Sequence, residues 1–263
     1  SLWAFSTFGV SPGKPVLDAL EAAVERTARS MKPQEVANAL WSYAAFGAAP
    51  GRATLDALEA AAERTARSMD PQAVANALWS YAVFDLRPPR AVVDAAAPLA
   101  DRFTAENLRQ LFHAHLAEAA AGRRLDLPER LFARAEEAWR GQVDDTTSSS
   151  FHRQVSDALR RLGFEHAREG ATDDRLFRVD CLLADGRTAV EADGWTPVCI
   201  PRRASRLIPH RPTHFIGRAP NGATRLRRRL LAVRGLRVIS VPYYDWYDLM
   251  EAAQDAYLSA KLA

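Results

Sequence analysis

Three carboxylates occupy positions at which a β-hairpin would bring them onto one face of a sheet. Residues 176–183 and 188–193 show the alternating pattern of β-strands, and the Asp-Gly dipeptide between them is typical of a tight turn. A two-residue turn at that dipeptide places Asp180 directly opposite Glu191, with Asp193 on the same face because it lies two residues further along. Opposed carboxylates repel each other, so they need a cation, a shared proton or an arginine.

Two kinds of chemistry suit these three acids. Oxygen ligands suit Mg²⁺, so Asp180 and Glu191, with Asp193 as a third carboxylate, could form a metal site for phosphodiester cleavage. The alternative is a structural network of ion pairs, in which Arg178, opposite Asp193 in the same hairpin, neutralises that carboxylate. The spacing of the residues is compatible with both interpretations.

A long run of positive charge follows the hairpin. Residues 202–237, here called the basic segment, contain eleven arginines and no acidic residue. The arginines are Arg202, Arg203, Arg206, Arg211, Arg218, Arg225, Arg227, Arg228, Arg229, Arg234 and Arg237. A solvent-exposed helix face normally mixes both signs of charge, whereas a single sign over this length is expected of a surface that binds a phosphate backbone. The basic segment, which also holds His210 and His214, therefore predicts contact with a nucleic acid.

Charge and composition limit the classes of protein that fit. Residues 1–145 hold 16 basic and 19 acidic side chains, whereas residues 146–263 hold 19 basic and 13 acidic ones. A hydrophobic share of 48% is that of a folded protein, and no apolar run reaches the roughly 20 residues that span a bilayer. Cys181 and Cys199 are too few for a disulfide framework and lack the spacing of a metal site, so we expect buried thiols.

The first half of the chain is built from repeats. Leu-Trp pairs recur at a fixed offset of 38 residues, beginning at Leu2, Leu40 and Leu78. Residues 32–44 return almost unchanged at 70–82, and a third, degraded copy runs from 103 to 115. Each unit predicts two helices, and such pairs must stack into a solenoid because a single pair cannot bury its apolar faces. The chain starts within a repeat, so we expect further repeats upstream.

Four polar residues lie opposite the apolar stripe of the repeat helices. They are Gln34 and Asn38 in one repeat, and Gln72 and Asn76 in the next. One interpretation makes them readers of base edges on a concave face, as in repeats that contact one base per unit. The alternative is structural: Trp41 and Trp79 pack between repeats, and the asparagines form hydrogen bonds on the helix face.

Helical periodicity also predicts helices at residues 127–140 and 151–162, joined by a polar linker. A last strand is expected at 236–241 and a closing helix at about 246–261. Four aromatic residues fall within 243–247. They could stack on unpaired bases, or they could pack the closing helix onto the sheet and leave one ring exposed.

The repeat motif P-Q-x-V-A-N-A-L-W-S-Y-A resembles the octotricopeptide repeat over about residues 1–120. This resemblance implies a helical array that binds organellar RNA. Helical solenoids also bind peptides, so a scaffold for protein partners is a further alternative.

The second half resembles the RAP domain over residues 149–263. The motifs that carry this resemblance are Phe151-His152-Arg153-Gln154-Val155, Val179-Asp180, Val190-Glu191-Ala192-Asp193-Gly194, Thr213-His214-Phe215, the stretch 222–231, and Val241-Pro242-Tyr243-Tyr244-Asp245-Trp246. The resemblance implies an RNA-binding protein of mitochondria or chloroplasts that acts in RNA processing, stability or translation. It also implies a fold similar to the restriction-endonuclease-like PD-(D/E)XK fold.

The nuclease pattern of that fold can be carried onto this chain only in part. Asp180 matches the strand aspartate, Glu191 matches the glutamate of E-x-K, and Asp193 occupies the lysine position. An aspartate cannot offer positive charge to the attacking water or the phosphate, although an arginine from residues 225–229 could replace it. The preceding segment offers two further carboxylates, Glu165 and Glu169.

Together the patterns predict an α+β chain, with an N-terminal α-solenoid at residues 1–145 and a RAP-like α/β domain at 146–263. The leading hypothesis is a non-catalytic organellar factor that binds single-stranded RNA, contains no cofactor and does not enter a membrane. The predicted RNA contacts are Arg202, Arg203, Arg225, Arg227, Arg228, Arg229 and His214, with Gln34, Asn38, Gln72 and Asn76 in the repeats. The alternative enzyme is an endoribonuclease with Mg²⁺ held by Asp180 and Glu191.

Overall fold

The computed structural model describes residues 2–10, 12–144, 149–196, 211–212 and 214–263. Contacts between residues divide the chain into two units. The first unit is Ser1–Trp139 with Phe215–Arg227, and the second is Arg140–His214 with Arg228–Ala263. The grouping of residues 215–227 with the first unit is not foreseen by the sequence, and the boundary expected after residue 145 stays a prediction.

Helices pair along the first unit as the repeats predict. They are α1 (Leu2–Phe8), α2 (Lys14–Thr27), α3 (Pro33–Phe46), α4 (Arg52–Thr65), α5 (Pro71–Phe84), α6 (Arg90–Asp94), α7 (Ala105–Ala120) and α8 (Glu129–Asp144), whose last residues belong to the second unit. In one layer, α3 packs against α1 and α5, and α5 packs against α7. In a second layer, α4 packs against α2 and α6. The helical-repeat organisation is therefore confirmed.

The ends of the repeat helices follow from local chemistry. Proline is tolerated in the first turn of α3 and α5 because the amide it lacks has no partner inside the helix. Asp70 caps α5 by accepting a hydrogen bond from the Ala73 amide at 2.8 Å. Gly47 ends α3 with a φ of +75°, and Asp85 takes the same left-handed conformation, with a φ of +60°, after α5.

The predicted apolar stripe of the repeat helix is the core of the first unit. Val36 and Leu40 are 0% exposed and Tyr43 is 2% exposed. In the next repeat, Val74, Leu78 and Tyr81 are buried in the same way. Burial raises the pKa of the Tyr43 and Tyr81 hydroxyls above the usual value of tyrosine, and nearby glutamates add to the effect. Each such side chain stabilises the fold by about 1.5–3 kcal/mol relative to an exposed position.

The rest of the chain combines strands and helices. In order these are α9 (Ser150–Arg161), β1 (His166–Ala171), β2 (Arg178–Leu183), β3 (Thr188–Asp193), β4 (Trp195–Thr196), β5 (Arg211–Pro212), β6 (Phe215–Ile216), β7 (Ala219–Pro220), α10 (Gly222–Val233), β8 (Arg237–Pro242), α11 (Tyr243–Trp246) and α12 (Glu251–Leu262). Strands β6 and β7 and the first half of α10 belong to the first unit. The closing helix predicted at about 246–261 corresponds to α12, which starts later, at Glu251, and follows the short helix α11.

A four-stranded mixed sheet with the order β1-β2-β3-β8 organises the second unit. The β1/β2 and β2/β3 pairs are antiparallel, whereas β3 and β8 are parallel, and parallel strands require a crossover such as the one that contains α10. Cys181 lies opposite Val190 and Leu182 opposite Ala189, which confirms the register predicted from the Asp-Gly turn. Strand β1 is an element that the sequence does not predict.

Helices α9 and α12 cover one face of this sheet. Phe151, Val155 and Leu159 of α9 are buried against sheet residues that include Cys181 and Val190. Trp246, which is 0% exposed, belongs to the same core, whereas the ring of Tyr247 is 47% exposed. This confirms that the aromatic residues after β8 serve mainly in packing, with one exposed ring.

The coarse fold prediction, helical repeats followed by an α+β region, is confirmed. None of the helices in the described ranges has the length and apolar character needed to cross a bilayer.

Candidate functional site

The predicted trio of acids is divided between two environments. Asp193, 2% exposed, accepts hydrogen bonds at Oδ2 from Arg228 Nη2 and Ser240 Oγ, both at 2.5 Å. His214 Nδ1 lies 3.4 Å from the other oxygen of this carboxylate. Asp193 is therefore neutralised by an arginine of α10.

Arg228 binds Asp193 in the structure, whereas the hairpin suggested Arg178 for this role. Arg178 was expected to face Asp193, but its Nη1 donates to the Glu169 carbonyl oxygen at 3.2 Å. The parallel pairing of β3 with β8 places Asp193 beside Pro242, close to Ser240 and the crossover helix. Neutralisation of Asp193 by Arg178 stays a prediction, and Arg228 is a further partner of this carboxylate that the β2/β3 hairpin alone does not reveal.

Asp180 faces a histidine and a second carboxylate. Its Oδ2 accepts a hydrogen bond from the Ala192 amide at 2.7 Å, while Oδ1 lies 3.3 Å from His152 Nδ1. Glu169 Oε1 lies 3.4 Å from the same histidine nitrogen. One ligand atom from each of these three side chains lies within 4.8 Å of the other two. We call His152, Glu169 and Asp180 the His-Glu-Asp cluster.

The His-Glu-Asp cluster contains one of the two metal ligands that the sequence suggested. Glu191 is outside it and is 5% exposed, and Asp193 is outside it as well. Of the two assisting carboxylates considered, Glu169 belongs to the cluster, whereas Glu165 is exposed. The ligand pair Asp180 and Glu191 stays a prediction.

Local structure fixes each member of the cluster. Ser149 caps α9 by accepting a hydrogen bond from the His152 amide at 3.2 Å, so the histidine lies in the first turn. Glu169 has a φ of +50°, which is uncommon for a residue with a side chain, and it interrupts the ladder between β1 and β2. The next residue, Gly170, has no space for a side chain, because a Cβ there would lie 2.5 Å from the Leu182 Cβ.

The thiol of Cys181, the residue after Asp180, resists ionisation. Burial raises the pKa of Cys181 to about 12, and the negative charges of Asp180 and Glu169 act in the same direction. This agrees with the expectation of a buried thiol for Cys181. Cys199 lies outside the described residues.

Some arginines of the basic segment bind other residues of the protein. Arg228 binds Asp193, and Arg234 binds Asp174 at 2.7 Å while its guanidinium lies 4.6 Å from the centre of the Phe177 ring. The Arg237 guanidinium donates to two carbonyl oxygens at the end of α12. The acids that balance Arg228 and Arg234 lie outside the basic segment, which is why the sequence alone shows an unbalanced charge.

The other arginines predicted to bind RNA lie in different settings. Arg225 is exposed, and its Nη1 donates to the Gly47 carbonyl oxygen at 2.6 Å within the first unit. Arg227 and Arg229 are half-buried, as is His214. Arg202 and Arg203 lie outside the described residues.

The polar residues of the repeats are unequally accessible. Gln34 and Gln72 are exposed and Asn38 is half-buried. Asn76 is 8% exposed and its side-chain oxygen accepts a hydrogen bond from Gln110 of α7 at 3.1 Å. Trp79 is also 8% exposed, in agreement with packing between repeats. Base reading by the four predicted residues stays a prediction, and Asn76 already has a partner in the next repeat.

Comparison with known families identifies the C-terminal part of the chain. Residues 210–261 match the family model described as the RAP domain. The matched residues run from β5 through α10 and β8 into α12, and they include Arg225, Arg228 and the aromatic residues after β8. The motifs at residues 149–209 lie outside the match. The chain therefore carries a RAP domain at residues 210–261, after a series of N-terminal helical repeats.

Proposed function

We propose that this protein is an RNA-binding factor of the mitochondrion or chloroplast that acts in RNA processing, stability or translation. The match to the RAP domain carries the proposal, because that domain is associated with RNA binding. Eight of the eleven arginines of the basic segment fall within the matched residues. Arginine suits this role since its planar guanidinium binds phosphate through two hydrogen bonds and stacks on bases.

Not every arginine of the basic segment has the same role in this proposal. Arg228 and Arg234 already balance carboxylates, so we assign them to the fold. We assign RNA contact to Arg202, Arg203, Arg225, Arg227, Arg229 and His214. Phosphate contacts of this kind would hold the backbone of the RNA without reading its sequence.

The helical repeats would extend the RNA-binding surface. Gln34 and Gln72 are exposed at equivalent positions of consecutive repeats, so they can reach a partner that runs along the array. An amide side chain can donate to and accept from the edge of an unpaired base. In this proposal the glutamines contact single-stranded RNA, while Asn76 serves the packing between α5 and α7.

We also propose that the fold of the second unit is related to the restriction-endonuclease-like fold. The mixed sheet, with antiparallel pairs followed by one parallel pair across α10, supports this relation. Nuclease chemistry at Asp180 and Glu191 is not part of the proposal. The position of the expected lysine is held by Asp193, and Arg228 is used to neutralise that carboxylate.

The proposal is tested by measuring how salt affects the binding of a fluorescently labelled pool of single-stranded RNA. Each phosphate contact on single-stranded RNA contributes about 0.7 to the slope of log affinity against log salt concentration. Replacing Arg227 and Arg229 by alanine should therefore lower the slope by about 1.4. The matched control replaces Arg160 and Arg187, two exposed arginines outside the basic segment.

The control distinguishes RNA contact by the basic segment from a general effect of removing positive charge. The Arg160→Ala/Arg187→Ala variant removes the same net charge and should leave the slope nearly unchanged. Equal effects of the two double variants would contradict a specific role for the basic segment. Absence of binding by the unaltered chain at low salt would contradict the proposed function itself.

A further inference from the structure

The His-Glu-Asp cluster has the composition of a metal site. Its donors come from three separate elements: His152 from α9, Glu169 from β1 and Asp180 from β2. Their side chains are 23%, 20% and 14% exposed, so the cluster is largely shielded but open to solvent. One imidazole nitrogen and two carboxylate oxygens form a mixed donor set, which suits first-row transition metals better than an all-oxygen set does.

The distances within the cluster are better suited to a shared ion than to direct hydrogen bonds. Charge-assisted hydrogen bonds between nitrogen and carboxylate oxygen are about 2.7–2.9 Å long. His152 Nδ1 lies 3.4 Å from Glu169 Oε1 and 3.3 Å from Asp180 Oδ1, and one N–H cannot point at both oxygens. For metal–ligand bonds of about 2.1 Å, these two separations give nitrogen–metal–oxygen angles of about 105°, close to the tetrahedral value.

The surroundings of the cluster orient its ligand atoms. The Ala192 amide binds Asp180 Oδ2 at 2.7 Å and so directs Oδ1 towards His152. The Arg178 guanidinium binds the Glu169 carbonyl oxygen, where the backbone takes its left-handed turn. Hydrogen bonds of this kind, made to the ligands rather than to the metal, are a regular feature of protein metal sites.

We propose that His152, Glu169 and Asp180 bind a divalent transition-metal ion such as Zn²⁺, with solvent in the remaining coordination position. Three protein ligands and one open position are the arrangement of zinc sites that bind a further molecule. This site differs from the Mg²⁺ pair that the hairpin suggested, because it uses His152 and Glu169 in place of Glu191. It is independent of the proposed RNA binding and is tested without RNA.

The experiment is a titration of the full chain, freed of metal by EDTA and dialysis, with Co²⁺ as a spectroscopic probe for Zn²⁺. The expected result is visible d–d absorption that saturates at one Co²⁺ per chain and disappears on addition of Zn²⁺. The absorption should be weak or absent in the variants His152→Ala, Glu169→Gln and Asp180→Asn. We expect at least a ten-fold increase in Kd for each variant, and weak binding of Mg²⁺ in competition.

The control variant is Glu165→Gln, which removes an exposed carboxylate from the same segment as Glu169. It should bind Co²⁺ as the unaltered chain does. Glu169→Gln and Asp180→Asn keep the shape of the side chains, and circular dichroism shows whether each variant is folded. Absence of the absorption in the unaltered chain would overturn the proposal. Equal Co²⁺ affinity of the folded cluster variants and the control would overturn it as well.

Discussion

The buried ion pair between Arg228 and Asp193 provides a quantitative test of the second unit. Removal of one partner from a buried pair costs about 3–5 kcal/mol, because it leaves an uncompensated charge. The Asp193 side chain is 3% exposed, whereas that of Arg228 is 27% exposed. Ser240 keeps its hydrogen bond to the carboxylate, so we expect Arg228→Ala to lower the free energy of unfolding by about 2–3 kcal/mol.

The same geometry predicts a specific pattern in a double-mutant cycle. Asp193→Asn should cost less than Arg228→Ala, since the arginine it leaves behind can reach solvent. The double variant should be more stable than Arg228→Ala alone, because no buried carboxylate remains. The measurement is urea denaturation followed by circular dichroism, with Arg160→Ala as the control.

Arg160 provides a suitable comparison because it also pairs with an aspartate. Its partner is Asp157, three residues away on α9, and the two side chains are 53% and 56% exposed. An exposed pair of this kind contributes at most about 0.5 kcal/mol. If Arg228→Ala were as mild as Arg160→Ala, or if the two changes in the cycle were additive, the account of a buried pair would be refuted.

Two further predictions concern the packing and pH dependence of the fold. A Cβ at Gly222 would lie 1.8 Å from the Ala44 carbonyl oxygen, so Gly222→Ala should cost at least about 2 kcal/mol in thermal melting. Gly141→Ala, whose Cβ meets nothing within 4 Å, should be neutral or slightly stabilising. Burial opposes ionisation of Asp174, but hydrogen bonds, including one from Arg234, outweigh it and lower its pKa. The resulting stabilisation is present above about pH 4 and is lost as the pH falls through the lowered pKa of Asp174, so Asp174→Asn should cost up to about 1 kcal/mol at pH 7 and less in acid. Destabilisation by Gly141→Ala, or a cost of Asp174→Asn that is independent of pH, would contradict these two predictions.

The sequence predicts best the elements that are determined by local chemistry. The repeats are evident because the same helix-starting and helix-ending residues return at a fixed offset of 38. The β2/β3 register follows from the Asp-Gly turn, at which Gly186 takes a φ of +64°. In both cases the signal lies within residues that are close along the chain.

Strand β1 could not be predicted in this way. His166–Ala171 reads His-Ala-Arg-Glu-Gly-Ala, which has no β-branched or aromatic residue and no alternation of apolar and polar side chains. It becomes a strand because it pairs with β2. The cluster of His152, Glu169 and Asp180 depends on that pairing, so the sequence could identify Asp180 but not both of its neighbours.

The role of Arg228 could also be predicted only in part from the sequence. The sequence suggested that an arginine from residues 225–229 could replace the positive charge of the lysine missing at position 193, but it did not indicate that one of them would bind Asp193 itself. The choice depends on the phase of α10 relative to β8, which is a property of the tertiary fold. Arg228 is selected because it reaches both Asp193 and Ser240.

RNA binding without cleavage is tested by a retention assay with labelled single-stranded RNA and the purified chain, in the presence of Mg²⁺ or of EDTA. The RNA should be retained intact in both conditions, with an affinity that falls steeply as salt is added. Lack of retention at low salt would contradict the claim that the protein binds RNA. Cleavage confined to the Mg²⁺ condition would contradict the claim that it binds RNA without cutting it.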